Sequence, residues 1–256
     1  MTATATATAR RPDAAAAPAE DVIEVQGMAA GYDGAWILED IGFTARRGEV
    51  LGVLGRNGVG KSTLVNGLLN LGPTVTGRVL IKGRDVVGWP THRIVRLGIG
   101  IVPQGRGIFG NLTVEDNLRL ALFGARATAA NGWTLERVYD SFAKLGQRRH
   151  VSASALSGGE RQLLAMSRAL LTQADILILD EPTEGLAPMV VEEVIVGNIR
   201  SLRREGVTVI LVEQNIALAL DLADQAIVLS DGGIVFCGSA DTLKQREDIQ
   251  NEYLGV

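Results

Sequence analysis

The sequence predicts an α/β fold with a mostly parallel sheet, an N-terminal antiparallel β portion and an inserted lobe of helices. Three features point there. Short apolar runs that end in glycine or polar clusters alternate with stretches of helical spacing, the pattern of βα units around a buried parallel sheet. Two strand-like stretches, the second preceded by a Gly-rich turn, come before the first of these runs. From about residue 91 to 154, helix-capping residues and apolar steps of three and four dominate instead.

The folded pattern begins near Val22, where residues 22–25 alternate as a strand, and residues 37–44 read as another. Residues 49–54 form an apolar run that ends in glycines, and a helix is expected over 61–70, stopped by Gly72-Pro73. Within the lobe, Thr113 to Asp116 has the form of a capping box before Leu118 and Leu122. A second lobe helix follows Thr134, with Leu135, Val138, Tyr139, Phe142 and Leu145 on one face and Gly146 at its end. Helices are then expected over 159–172, 190–204 and 215–223, with strands over 176–179, 207–212 and 225–229.

Composition narrows the function classes. With 256 residues, 46% hydrophobic and 21% charged, the chain can bury a sizeable core. A net charge of −4 argues against duplex nucleic acid as a partner, since phosphate contacts call for a basic surplus. The single cysteine, Cys237, follows an apolar run and is expected to be a buried core residue. No stretch approaches the roughly 20 apolar residues of a membrane-spanning helix. Residues 1–20 are Ala/Thr-rich with no apolar signal core and are expected to be a disordered tail, leaving residues 21–256 as the domain.

The chemistry collects in a few motifs. Gly55-Arg56-Asn57-Gly58-Val59-Gly60-Lys61-Ser62 has the spacing GxxxxGKS between an expected strand and helix, with Thr63 beside it. Backbone N–H groups of such a loop curl around phosphate oxygens, and the helix N-terminus adds positive potential. Lys61 is placed to reach β- and γ-phosphates and Ser62 to ligate Mg²⁺, making this a P-loop nucleotide site. Residues 176–179 lead into Asp180-Glu181, so Asp180 is a candidate metal ligand and Glu181 a candidate general base. Two further strands end at Gln104 and at Glu213-Gln214. Four strands thus deliver phosphate, metal and water ligands to one sheet edge, Gln104 among the metal candidates. Leu156-Ser157-Gly158-Gly159-Glu160 opens an amphipathic helix. Ser157 and Glu160 form a capping box, but two glycines in a first turn cost helix stability, about 1 kcal/mol each. Phosphate approaching their backbone N–H groups would justify that cost.

These motifs in this order resemble the ATP-binding-cassette family, from about residue 22 to the C-terminus. LSGGE is the specific part, because other P-loop families lack it. The resemblance implies an ATPase with ATP and Mg²⁺ as ligands, and head-to-tail pairing with a second ATP-binding subunit. Ser157, Gly158, Gly159 and Glu160 would then face the partner's nucleotide, and Tyr32 would stack on adenine. It further implies transmembrane permease subunits, reached through the lobe and the loop after Gln104, and indirectly an extracytoplasmic substrate-binding protein. The chain would sit peripherally on the cytoplasmic side of the membrane.

Two positions depart from the family pattern: Gln214 stands where a histidine is usual, and Ala187 where an aspartate is expected. Both departures, with Gly185-Leu186-Ala187-Pro188 and Val102 to Arg106 followed by Phe109, resemble ATPases of branched-chain amino acid importers. Gln104 and the 55–60 run also occur in urea and short-amide importers. A soluble cassette machine would usually carry two cassettes or a long coiled coil, and a P-loop kinase would leave LSGGE without a role.

Overall fold

The computed structural model describes residues 20–125 and 132–255; the expected N-terminal tail lies outside the described residues except for Glu20. Strands β1 (Asp21–Tyr32) and β2 (Ala35–Arg46) form an antiparallel hairpin. Its turn is Asp33-Gly34, both at positive φ, as a tight two-residue hairpin demands. Both strands run longer than their alternation suggested, because register shifts between Val25 and Ala30 interrupt the period without ending the pairing.

The apolar run β3 (Val50–Leu54) and helix α1 (Lys61–Leu68) come next. Strands β4 (Thr74–Ile81) and β5 (Arg84–Asp85) then complete a four-stranded antiparallel sheet in the order β2-β1-β4-β5.

The larger sheet takes β6 (Ile99–Val102), β7 (Ile176–Asp180), β8 (Thr208–Glu213), β9 (Gln225–Ser230) and β10 (Gly233–Ser239), in the order β10-β9-β3-β8-β7-β6. All its pairs are parallel except β10 on β9. Both faces are covered, which is why these strands read as unbroken apolar runs. Ile176, Ile178, Ile210 and Val212 face one core shared with α1 and the small sheet. Leu177, Leu179, Val209 and Leu211 face a second core shared with the helices. Each such buried side chain stabilises the fold by about 1.5–3 kcal/mol.

Strand β10 corrects the expectation for Cys237, which is exposed. The strand is the outer member of the sheet, and its alternate residues Val235 and Cys237 face solvent.

In the span 91–154, β6 belongs to the main sheet, so the region is not helical throughout. Its helices are α2 (Thr91–Val95), α3 (Val114–Leu122), α4 (Leu135–Ser141) and α5 (Ala143–Gln147). Thr113 caps α3, but Asp116 is a methylene too short for a full box; it accepts from the Thr113 hydroxyl at 2.6 Å. The helix expected through Gly146 breaks at Phe142 (φ −126°, ψ 66°), whose buried ring stacks on Trp133 at 6.1 Å.

Helix α6 (Gly158–Leu171) packs on α3 and on β6. Helix α7 (Pro188–Val190) continues through a wider π-type turn, Val191–Val196, into α8 (Gly197–Arg204), and α9 (Ile216–Leu222) follows β8. Among the described residues no helix is long and apolar enough to cross a membrane.

Candidate functional site

The loop from Gly55 to Gly60 leaves the end of β3 and enters α1 with Gly60 at φ 106°. A β-carbon at Gly60 would lie 2.6 Å from Leu38, so only glycine fits there. No side chain caps α1, and its first N–H groups are left for an anion. The buried Lys61 ammonium donates to the carbonyls of Gly55 at 2.9 Å and Arg56 at 3.0 Å, and lies 3.4 Å from Glu181 Oε1.

Strand β7 delivers the two carboxylates. Asp180 is buried, and its Oδ1 has no hydrogen-bond partner. Burial pushes its pKa up and the Glu181 charge adds to this; Lys61, the Gln104 backbone N–H and the Ser62 hydroxyl pull the other way. An unpartnered buried carboxylate oxygen beside a serine hydroxyl fits a hard divalent cation such as Mg²⁺. Among the described residues no group of three or more His, Cys, Asp or Glu side chains is placed to hold a metal alone. The donors here therefore suit an ion that keeps waters and phosphate oxygens as its other ligands.

Glu181 stands at φ 48°, an uncommon conformation for a residue with a side chain, and its N–H donates to the Val212 carbonyl at 2.9 Å. That bond extends the β7–β8 ladder past the end of the strand and aims the side chain into the cleft. Gln104 Nε2 donates to Glu181 Oε2 at 3.3 Å and to Glu184 Oε2 at 3.2 Å, so one amide ties both acids to the end of β6.

A cleft of about 500 Å³ brings together Tyr32, Asn57, Gly58, Gly60, Lys61, Ser62, Thr63, Gln104, Glu181 and Gln214. Other candidate residues stand elsewhere. Gly55 and Arg56 offer carbonyls to Lys61, Val59 packs into the core, and the Arg56 guanidinium donates to the Glu252 carbonyl. Asp180 opens on a neighbouring hollow beside Glu181. Ser157, Gly158, Gly159 and Glu160 line a separate cleft with Leu186, Ala187 and Val190.

The LSGGE turn forms the expected capping box. Ser157 Oγ accepts from the Glu160 N–H at 3.3 Å, and Glu160 Oε2 accepts from the Ser157 N–H at 2.8 Å. That second bond, the largest influence on Glu160, lowers its pKa. The glycines have a reason within the chain as well. A β-carbon at Gly159 would meet Val190 at 2.6 Å, and one at Gly158 would meet Leu186 at 3.1 Å. Val190 of α7 and Leu186 just before it thus press on the turn from behind, so packing within the chain, as well as any approaching phosphate, calls for glycine at both positions.

Three further residues belong to the site. Glu184 and Ile37 line the cleft, and Arg106, at φ 72°, donates to Gln162 on α6 at 3.2 Å and to the Glu184 carbonyl at 3.1 Å. Glu184 carried a signal, an acid one turn beyond Glu181; Arg106 closed the run after Val102 that carried the importer resemblance but had no role attached, and Ile37 carried no signal.

Comparison with known proteins agrees with this geometry. Residues 38–184 match the family described as ABC transporter. The high-affinity branched-chain amino acid transport ATP-binding protein BraG of Pseudomonas aeruginosa is 40% identical over 85% of this chain and 93% of its own length. The probable branched-chain amino acid transport ATP-binding protein LivF of Archaeoglobus fulgidus is 36% identical over 89% of this chain and 96% of its own. The lipopolysaccharide export system ATP-binding protein LptB of Escherichia coli is 30% identical over 91% and 97%. A solved ATP-binding subunit of an ABC transporter superposes with a TM-score of 0.76 at 26% identity, covering 91% of this chain and 96% of that one. With the phosphate loop, paired carboxylates and LSGGE turn set on this sheet, the chain belongs to the ABC transporter family as an ATP-hydrolysing, ATP-binding subunit.

Proposed function

We propose that this subunit powers import of branched-chain amino acids. The observation that carries the reading is the pair of relatives bearing that name, 40% and 36% identical across most of the chain. Lipopolysaccharide export is the second reading, favoured by the relative at 30%. Uptake of labelled leucine and valine by cells lacking this chain separates them. The proposal expects uptake to fall and to return with the gene; normal uptake with defective lipopolysaccharide export supports the second reading.

In the proposed reaction Tyr32 stacks on adenine, the 55–63 loop holds the phosphates, and Lys61 moves from its loop carbonyls to the β- and γ-phosphates. Ser62, Asp180 and Gln104 would hold Mg²⁺, which would neutralise phosphate charge. Glu181 takes a proton from the attacking water while Gln214 orients that water. A second ATP-binding subunit supplies its Ser157 turn across the nucleotide, which accounts for a turn that opens on a different cleft from the P-loop.

Gln214 cannot titrate near neutral pH, so it acts by orientation. Gln214→Ala is expected to lower kcat several-fold with ATP affinity kept, and Gln214→His to restore turnover with a new pH dependence near the imidazole pKa of about 6.5. Steady-state ATPase assays between pH 5.5 and 8.5 check both. Unchanged kinetics in the alanine variant would make Gln214 a bystander.

The subunit joins the membrane through a permease, peripherally at its cytoplasmic face, in a transporter that also uses an extracytoplasmic substrate-binding protein. Phe109 is half exposed, with the Arg168 guanidinium 4.6 Å from its ring centre. The buried Asn117 amide clamps its backbone, accepting from the N–H and donating to the carbonyl, both at 2.9 Å. A half-exposed aromatic whose backbone is held in this way suits an anchor for a permease helix. Phe109→Ala is expected to reduce permease co-purification at least tenfold, with ATP affinity and melting temperature near wild type. Equal losses of melting temperature and co-purification would place Phe109 in the packing of the lobe.

A further inference from the structure

The last residue of β8, Glu213, was expected at the reactive edge with Gln214, but it does not line the cleft. It lies buried, 2% exposed, on the sheet face of Val209 and Leu211. Its two oxygens divide their partners by loop. Oε1 accepts from the Thr183 N–H at 3.1 Å and the Thr183 hydroxyl at 2.7 Å. Oε2 accepts from the Gln214 N–H at 3.1 Å and the Asn215 N–H at 3.3 Å.

Thr183 is two residues past Glu181, and Gln214 follows Glu213 directly. The spacing between the turn that carries Glu181 and the turn that carries Gln214 is therefore set by one carboxylate. We propose that Glu213 is a positioning residue for ATP hydrolysis: its carboxylate clamps these two turns so that Glu181 and Gln214 bear on the same water. The inference rests on the roles given above to Glu181 and Gln214.

The chemistry of the clamp requires a carboxylate. Four donors converge on it, and an ionised carboxylate is an acceptor at both oxygens. Burial raises the Glu213 pKa, and these same four hydrogen bonds lower it; every group that steadies the charge is a neutral donor. A glutamine of nearly the same shape keeps one acceptor and puts an NH₂ against at least one backbone N–H, whichever way the amide is turned: those of Gln214 and Asn215 on one side, that of Thr183 on the other, where the hydroxyl can rotate to accept. One turn is then released while the sheet beneath stays intact.

The phosphates are held by the P-loop on β3 and α1, to which Glu213 makes none of these bonds. Releasing the clamp should leave ATP affinity alone and spoil alignment in the transition state. Misplacement of a catalytic group by about 1 Å can cost on the order of 10²-fold in rate.

The test compares Glu213→Gln, Thr183→Val, Thr183→Ser and the double variant Glu213→Gln/Thr183→Val, measuring kcat, KM for ATP and melting temperature. We expect kcat to fall between about 10- and 100-fold in Glu213→Gln, with KM within about twofold of wild type. Thr183→Val should show a smaller fall of the same kind, and Thr183→Ser, which keeps the hydroxyl, should recover turnover. The double variant should be no worse than Glu213→Gln, because both break one clamp. Wild-type kcat in Glu213→Gln overturns the proposal. So does a parallel fall of kcat and melting temperature there with normal kcat in Thr183→Val, which marks a purely structural carboxylate. Glu181→Gln in parallel separates this from the catalytic assignment. Full turnover in that variant indicts Glu181, whereas lost turnover there beside normal turnover in Glu213→Gln indicts the clamp.

Discussion

Glu181→Gln is expected to bind ATP with near-normal affinity and to lose most of its turnover, on the order of 10²–10⁴-fold, the contribution of a positioned general base. The substitution changes little else. Glutamine keeps the length of the side chain, the N–H to Val212 is a backbone bond, and an amide oxygen can still accept from Gln104. What it cannot do is take a proton from water. The strained backbone at φ 48° has a purpose under this account, holding the carboxylate off the line of the strand and toward the cleft. Single-turnover hydrolysis with saturating ATP measures the chemical step apart from product release. Turnover within threefold of wild type would move the base elsewhere, with Glu184, tied to the same Gln104 amide, the next residue to examine.

Lys61→Ala is expected to fail earlier in the cycle, at binding. An ammonium that bridges β- and γ-phosphates makes at least two charge-assisted contacts, worth about 1.5–3 kcal/mol each. Together they amount to roughly two to four orders of magnitude in affinity. The same ammonium holds the loop itself through Gly55 and Arg56, so truncation also loosens the phosphate cradle. It further removes the cation 3.4 Å from Glu181, both side chains being largely buried. Calorimetric titration with ATP and Mg²⁺ checks the loss. An affinity within threefold of wild type would show that the backbone N–H groups alone carry phosphate binding. The two variants thus split binding from chemistry: one holds nucleotide and does not cleave it, the other does not hold it.

Much of this arrangement is legible in the sequence because its main signals are local. A buried parallel strand between two packed cores must be apolar on both faces, so residues 176–179 and 208–212 stand out as runs, and the polar residues after them mark the reactive edge. The Ser157 cap is fixed by Glu160, three residues away. What was hidden depends on partners distant in the chain. Gly159 owes its missing β-carbon partly to Val190, thirty-one positions on, which no local pattern reveals. Glu213 appeared to be another ligand of the edge; strand alternation turns its side chain to the opposite face from Val212, toward Thr183. The break at Phe142 coincides with the stacking of its ring on Trp133, with no helix-stopping residue at that position. Cys237 misled because an apolar run on an outer strand looks like one in the centre of a sheet.

Under the proposed function, hydrolysis at the Glu181 site drives solute across the membrane. Import carries solute toward the face that bears this subunit, so the vesicles are prepared right-side-out, with the subunit, ATP and Mg²⁺ enclosed. Membrane vesicles containing the permease, the substrate-binding protein and this chain should accumulate labelled leucine only with ATP and Mg²⁺ on that face, and Glu181→Gln should abolish accumulation while the subunit stays bound to the membrane. Leucine accumulation that continues undiminished with the Glu181→Gln subunit in place would contradict it.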